Sequence, residues 1–137
     1  MADETLTARD LGRMSRAAVG RKDRDGWLDL FAPDGFVQDP VGSSPFDPEG
    51  KGHHGREAIA TFYDTVIAPA DKIEFEITQS YLAGDEVADV GVIRTTLAGG
   101  KHMAVVRLVQ VYRSNGAGKL ASLRAFWEFD ATELVEL

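Results

Sequence analysis

The chain predicts an α+β fold, and three features of its pattern say so. Apolar residues recur at helical spacing only in the first half. From Ile73 onward they alternate with polar ones at a period of two. Turn signals at Ala83-Gly84-Asp85, Gly99-Gly100 and Asn115-Gly116 then separate the alternating runs. Helices first and an antiparallel strand meander after is an α+β layout, with no repeat, linker or low-complexity segment to divide it.

Each element has a local cause. Thr7 with Asp10 three residues on makes a helix start, and Leu11, Met14 and Ala18 mark one face, which Ser15 shares. Gly12 and Gly20 weaken that helix. A short second helix fits Asp25 to Phe31, with Trp27, Leu30 and Phe31 buried and Trp27 at the core or the base of a pocket. Pro33-Asp34-Gly35 ends it. Gly35 to Asp39 reads as a short strand in which Val37 and Asp39 point the same way, and Pro40 holds Asp39 extended. Val41 to Gly55 is a polar loop. In Arg56 to Ile67 the positions Ala58, Ile59, Phe62, Tyr63, Val66 and Ile67 define a third helix. Strands follow around Ile73-Phe75-Ile77, then over Val87 to Leu97, His102 to Arg113 and Leu120 to Phe129.

Composition bounds the function. A chain of 137 residues suits one domain, 1–137, with a real core and room for an internal cavity. A net charge of −7 without clustered Lys and Arg argues against nucleic acid, and an apolar ligand fits more easily. The absence of cysteine excludes disulfides, thiolate metal sites and thiol catalysis. The start, Met1-Ala2-Asp3-Glu4, lacks the apolar stretch of a signal peptide, and no segment has the ~20 apolar residues of a membrane span, so a cytoplasmic protein is expected. His53 and His54 stand side by side in a polar loop without other ligands at familiar spacing, and they read as a solvated loop; His102, at a strand start, reads as structural. No metal or other cofactor is expected.

Asp39 is the residue that draws chemistry. It shares strand parity with Val37, is followed by proline, and precedes a turn that would bring it to a pocket mouth, where partial desolvation would raise its basicity. The alternative is a solvated Asp capping a turn. Gln110 shares parity with Ala104, Val106 and Leu108, so a polar amide stands on an apolar face and needs a partner: a ligand carbonyl, or backbone or a buried water.

Several segments carry a resemblance. Phe31-Ala32-Pro33-Asp34-Gly35-Phe36-Val37-Gln38-Asp39-Pro40-Val41-Gly42-Ser43-Ser44-Pro45 closely resembles the aspartate-bearing segment of ketosteroid isomerases. Ala58-Ile59 with Phe62-Tyr63 fits the helix that follows in that family. Asn115-Gly116-Ala117-Gly118-Lys119 fits its last hairpin, and Arg124-Ala125-Phe126-Trp127 its last strand. The likeness runs in order from about Leu11 to Glu128. It implies the cone-shaped fold of the nuclear transport factor 2-like superfamily, a strongly curved antiparallel sheet wrapped around a long helix over a deep pocket.

The resemblance also implies chemistry. Asp39 would shuttle a proton in a Δ5 to Δ4 shift of a steroid-like ketone, without cofactor, in the scheme established for these isomerases. The family's catalytic tyrosine falls on Ser15 and its neutral aspartic acid on Gln110, both weaker donors to a dienolate. Tyr63, Trp127, Phe62, Val37, Leu108 and Ala125 become ligand-binding candidates, with Phe62 the one better suited to plain core and Tyr63 and Trp127 to the pocket. Family members usually dimerise through the outer sheet face, so a homodimer is expected, with Val105, Val109 and Val111 compatible. The region after Pro45 is longer than in short bacterial isomerases, and an enlarged loop there would act as a lid. Two other functions fit the same pocket: non-catalytic carriage of a hydrophobic steroid- or polyketide-like ligand, or another proton transfer such as cyclisation or dehydration.

Overall fold

The computed structural model describes residues 6–137; the acidic start Met1–Glu4 lies outside the described residues. Helix α1 spans Ala8–Gly20 and is opened by a capping box, in which Thr7 accepts from the Asp10 backbone while the Asp10 side chain accepts from Thr7. Its buried stripe is Leu11, Gly12, Ser15, Ala18 and Val19. Met14, expected on that face, points outward instead. Helix α2 is Arg24–Asp29, capped by Asp23, and only Trp27 of it is buried.

Strand β1 covers Phe31–Gln38, starting earlier than the expected Gly35 and stopping just before Asp39. His53–His54 form a two-residue strand β2 against Phe36 and Val37, so this end of the expected loop is paired. Helix α3, Gly55–Phe62, runs into a π-helical turn over Tyr63–Ile67, where the Ala68 N–H donates to the Tyr63 carbonyl. Strands β3 (Lys72–Ala83), β4 (Glu86–Leu97), β5 (His102–Ser114) and β6 (Leu120–Phe126) follow, then β7 (Glu133–Glu136), which the sequence pattern does not announce. The last long strand ends at Phe126 rather than Phe129, and a short turn at Phe129–Ala131 leads into β7.

The sheet order is β2-β1-β6-β5-β4-β3, with β7 paired to the His102–Val105 end of β5. All pairings are antiparallel except β1 with β6, which is parallel. The curvature has a visible source. Between Ile77↔Gly91 and Gln79↔Val90 strand β3 holds one extra residue, Thr78, and such a bulge bends a strand and increases its twist. Opposite it, a Cβ on Gly91 would lie 2.1 Å from the Glu76 carbonyl oxygen, so only glycine fits. The curved sheet closes over α1 and α3, and the core joins Leu11, Trp27, Phe31, Ile59, Leu120 and their neighbours.

Register assigns the faces. On β5 the residues Ala104, Val106, Leu108, Gln110 and Tyr112 point inward, level with Thr95, Ile93, Gly91, Asp89 and Val87 of β4. The outer face presents Val90, Val92, Val105, Val109 and Val111, and Phe126, which is 41% exposed. Among the described residues no helix is long and apolar enough to cross a membrane.

Candidate functional site

A cavity of about 300 Å³ opens between the inner sheet face and the helices, within the range of small-molecule sites. Asp39, Gln110 and Ser15 all line it, beside Trp27, Tyr112 and Trp127. Its walls are mostly apolar: Val19, Phe62, Ile67, Phe75, Ile93 and Leu123 among others.

Asp39 follows directly on β1. Since Gln38 pairs with Arg124, and the Val41 N–H donates to the Ala125 carbonyl, Asp39 stands level with Ala125, which itself pairs with Gln110. Asp39 and Gln110 are therefore two strands apart, roughly 10 Å, with one methyl group between them. The Asp39 carboxylate accepts from Trp127 Nε1 at 2.6 Å. Burial pushes its pKa up to about 6, and the Trp127 hydrogen bond pulls the other way by stabilising the anion. Asp39 as a residue keeps some opening toward the cavity. The charge is poorly solvated all the same, because the walls it faces are protein and mostly apolar.

The opposite wall is organised by α1. Gly12 is the point of close approach: a Cβ there would sit 2.9 Å from the Tyr112 ring. With no side chain in the way, the ring lies against the helix and its hydroxyl reaches Ser15, one turn further on. Ser15 Oγ accepts from Trp27 Nε1 at 2.9 Å and from the Tyr112 hydroxyl at 3.3 Å. A hydroxyl has two acceptor positions and one proton, so the Ser15 proton is the part left to donate. Ser15 is 1% exposed and Tyr112 equally buried. Burial pushes the Tyr112 phenol up to about 12, so it stays protonated at neutral pH.

Gln110 is oriented by a charge pair. Arg16 Nη1 donates to Asp89 Oδ2 at 2.9 Å and to Gln110 Oε1 at 3.3 Å. Asp89 is completely buried and also accepts from the Ser80 hydroxyl, which accepts in turn from Arg9. A guanidinium only donates, so the amide oxygen of Gln110 must face Arg16 and its Nε2 faces away. Nε2 lacks a partner among the described residues. The cavity thus holds one carboxylate of raised basicity and two spare donors, the Ser15 hydroxyl on α1 and Gln110 Nε2 two strands along the sheet. That arrangement can polarise a carbonyl while moving a proton nearby.

The other expected site residues separate. Trp127 and Phe62 line the cavity, Phe62 as a member of the core that also borders it. Tyr63 does not line it: the ring packs against Trp27, centroids 5.6 Å apart, and beyond it the π-turn swings Val66 and Ile67 to the cavity instead. Val37 is wholly buried in the core below Asp39. Leu108 faces inward opposite Gly91 but borders a separate hollow shared with Val106 and Thr132, and Ala125 is too short to reach the cavity. His53 and His54 belong to the fold, packing on Phe62 and Phe36.

Five contributors escape a reading of the sequence. Tyr112 shares parity with Gln110 and is open to the same argument. Arg16 and Asp89 leave a fainter signal: Asp89 is a charge on the inward parity of a strand between Val87 and Gly91. Phe46, a lone aromatic in a polar loop, lines the cavity and meets Phe129 edge-on at 5.8 Å, so the long loop does cover the pocket. Thr132 lies past the expected end of the last strand, where no pattern points.

This fold and site define a class, a curved-sheet cone that buries a ligand-sized apolar cavity with one carboxylate in it. The chain belongs to the SnoaL-like domain family, which matches residues 12–123. It is 30% identical over 98 residues to a steroid Delta-isomerase of Nocardioides simplex, covering 72% of this chain and 71% of that one. Among solved structures it is similar to a Delta 5-3-ketosteroid isomerase from Mycobacterium sp., with a TM-score of 0.87 and 34% identity, over 95% of this chain and all of the other. A Mycobacterium tuberculosis protein solved in complex with estradiol-17beta-hemisuccinate gives a TM-score of 0.84 at 34% identity, over 92% and 97% of the two chains. The architecture is that of the nuclear transport factor 2-like proteins.

Proposed function

We propose that the protein is a cofactor-free isomerase of a steroid-like ketone, moving a double bond into conjugation with the carbonyl through a dienolate. The observation that carries this is Asp39, a carboxylate with a pKa of about 6 in an apolar cavity that also holds two spare hydrogen-bond donors. The ligand's carbonyl oxygen would lie between Gln110 Nε2 and the Ser15 hydroxyl. Asp39 removes a proton from the carbon between the carbonyl and the isolated double bond. The C–H electron pair becomes part of the dienolate, and negative charge moves onto oxygen. The protonated Asp39 then returns the same proton to the far carbon of the former double bond, and the carbonyl reforms. Nothing is oxidised or consumed, and the carboxylate is regenerated.

Similarity to the Nocardioides and Mycobacterium isomerases supports this reaction class, and the steroid held by the M. tuberculosis relative supports the ligand class. The chemistry fits the basicity: a carboxylate of pKa about 6 is ionised at neutral pH, yet a stronger base than an exposed one. A second reading, carriage of a hydrophobic ligand without turnover, is favoured by one feature. The donors are a serine hydroxyl and a neutral amide; losing an oxyanion donor outright typically costs about 2.7–4 kcal/mol of transition-state stabilisation, and weaker donors forfeit part of that.

The test is conversion of a Δ5-3-ketosteroid to its conjugated isomer, followed by ultraviolet absorbance, beside ligand titration by tryptophan fluorescence. The isomerase reading expects turnover that Asp39→Asn abolishes while binding persists. Binding without turnover moves the function to carriage or to another proton transfer on the same cavity. We further propose a homodimer through the outer valine-rich sheet face, whose apolar area needs cover.

A further inference from the structure

We propose that Thr132 is a second polar contact for the ligand, hydrogen-bonded to an oxygen at the end remote from the carbonyl. The assignment rests on the steroid-like reading above and names what that ligand must carry. Among the described residues, Thr132 Oγ1 is the one side-chain polar atom that is itself sealed from solvent and has no hydrogen-bond partner, although the residue as a whole keeps some exposure. Buried hydroxyls almost always find partners, because leaving water without replacement is unfavourable. Thr132 lines the cavity, and although its Oγ1 is turned away from the open space, rotation about χ1, of the kind side chains commonly undergo on binding, lets a bound molecule supply the partner the protein does not.

Register gives the spacing. Glu133 pairs with Val105 and reaches outward to Arg107, which puts Thr132 on the inward parity, level with Val106. Val106 is four residues along β5 from Gln110, roughly 13 Å at strand rise. The stretch between is apolar on its inner side, and Phe129 and Phe46 close over the Thr132 end. The cavity therefore offers polar groups at both ends and hydrocarbon walls between. That suits a long, rigid, fused-ring molecule with an oxygen at each end better than one oxygenated only at the carbonyl.

The experiment compares testosterone with its analogue lacking the D-ring hydroxyl, titrated against fluorescence of Trp27 and Trp127. Wild type is expected to bind testosterone about five- to tenfold more tightly, the contribution of one hydrogen bond. Thr132→Val should bind both ligands alike, with affinity for the deoxy analogue unchanged, and Thr132→Ser should keep the preference. Equal affinity of the two ligands for wild type overturns the assignment without recourse to any variant. So does a preference that survives in Thr132→Val. If neither ligand binds wild type, the steroid reading fails and this assignment falls with it, which separates the two failures.

Discussion

Replacing Asp39 with asparagine should stabilise the protein at neutral and alkaline pH and leave it unchanged in acid. A carboxyl that titrates at about 6 in the fold and at 3.8 when solvated holds its proton more tightly in the folded state, so ionisation opposes folding. At about 1.4 kcal/mol per pKa unit the opposition approaches 3 kcal/mol above pH 6, and water reaching Asp39 from the cavity reduces it to about 1–3 kcal/mol. Below pH 3.8 the carboxyl is protonated in both states and the penalty is absent. The asparagine side chain keeps a carbonyl oxygen for Trp127 Nε1 and carries no charge. For a domain of this length, about 3 °C per kcal/mol puts the expected gain at about 3–9 °C at pH 8. Thermal melts of both proteins by circular dichroism, from about pH 3 to pH 8, should show curves that coincide below pH 3.8, diverge between pH 3.8 and about 6, and stay apart above it. A difference constant across that range, or an asparagine variant less stable at pH 8, would refute a desolvated carboxylate at this position.

Other changes act on the same site. In the isomerase reading kcat/KM rises with pH through about 6, since the base must be ionised. Trp127→Phe removes the hydrogen bond that favours the anion, so the midpoint of that profile should move up by about one pH unit. Gln110→Leu should lower kcat at least tenfold with little change in KM, and a loss confined to KM would assign Gln110 to ligand binding alone. Arg16→Met strands the buried Asp89, with an expected loss of about 3–5 kcal/mol in urea unfolding, whereas Arg16→Met with Asp89→Leu should recover much of it. Gly91→Ala should cost about 1–3 kcal/mol or displace the β3 bulge, visible as a lowered melting temperature and weakened ligand binding. Val109→Glu should turn a dimer into a monomer in light scattering at unchanged secondary structure.

The chain by itself determined the order of helices and strands, because those patterns follow from side-chain periods of 3.6 and 2 that need no partner to be read. It also determined that Asp39 comes at the end of a strand beside a proline, and that Gln110 belongs to an apolar face. Local signals failed where a long-range contact decides. The last strand stops at Phe126, where its pairing with β5 ends at Val109, and β7 exists because the returning chain finds an unpaired stretch of β5. Gly12 looks like a flaw in a helix until the Tyr112 ring is laid against it. The direction of the Gln110 amide was settled neither by its strand nor by its parity. Arg16, 94 residues away in the chain, sets it through a single donated hydrogen bond, and only the tertiary fold brings the two together. Sequence patterns report which way a backbone presents a side chain; which atom of that side chain remains free depends on neighbours that folding alone supplies.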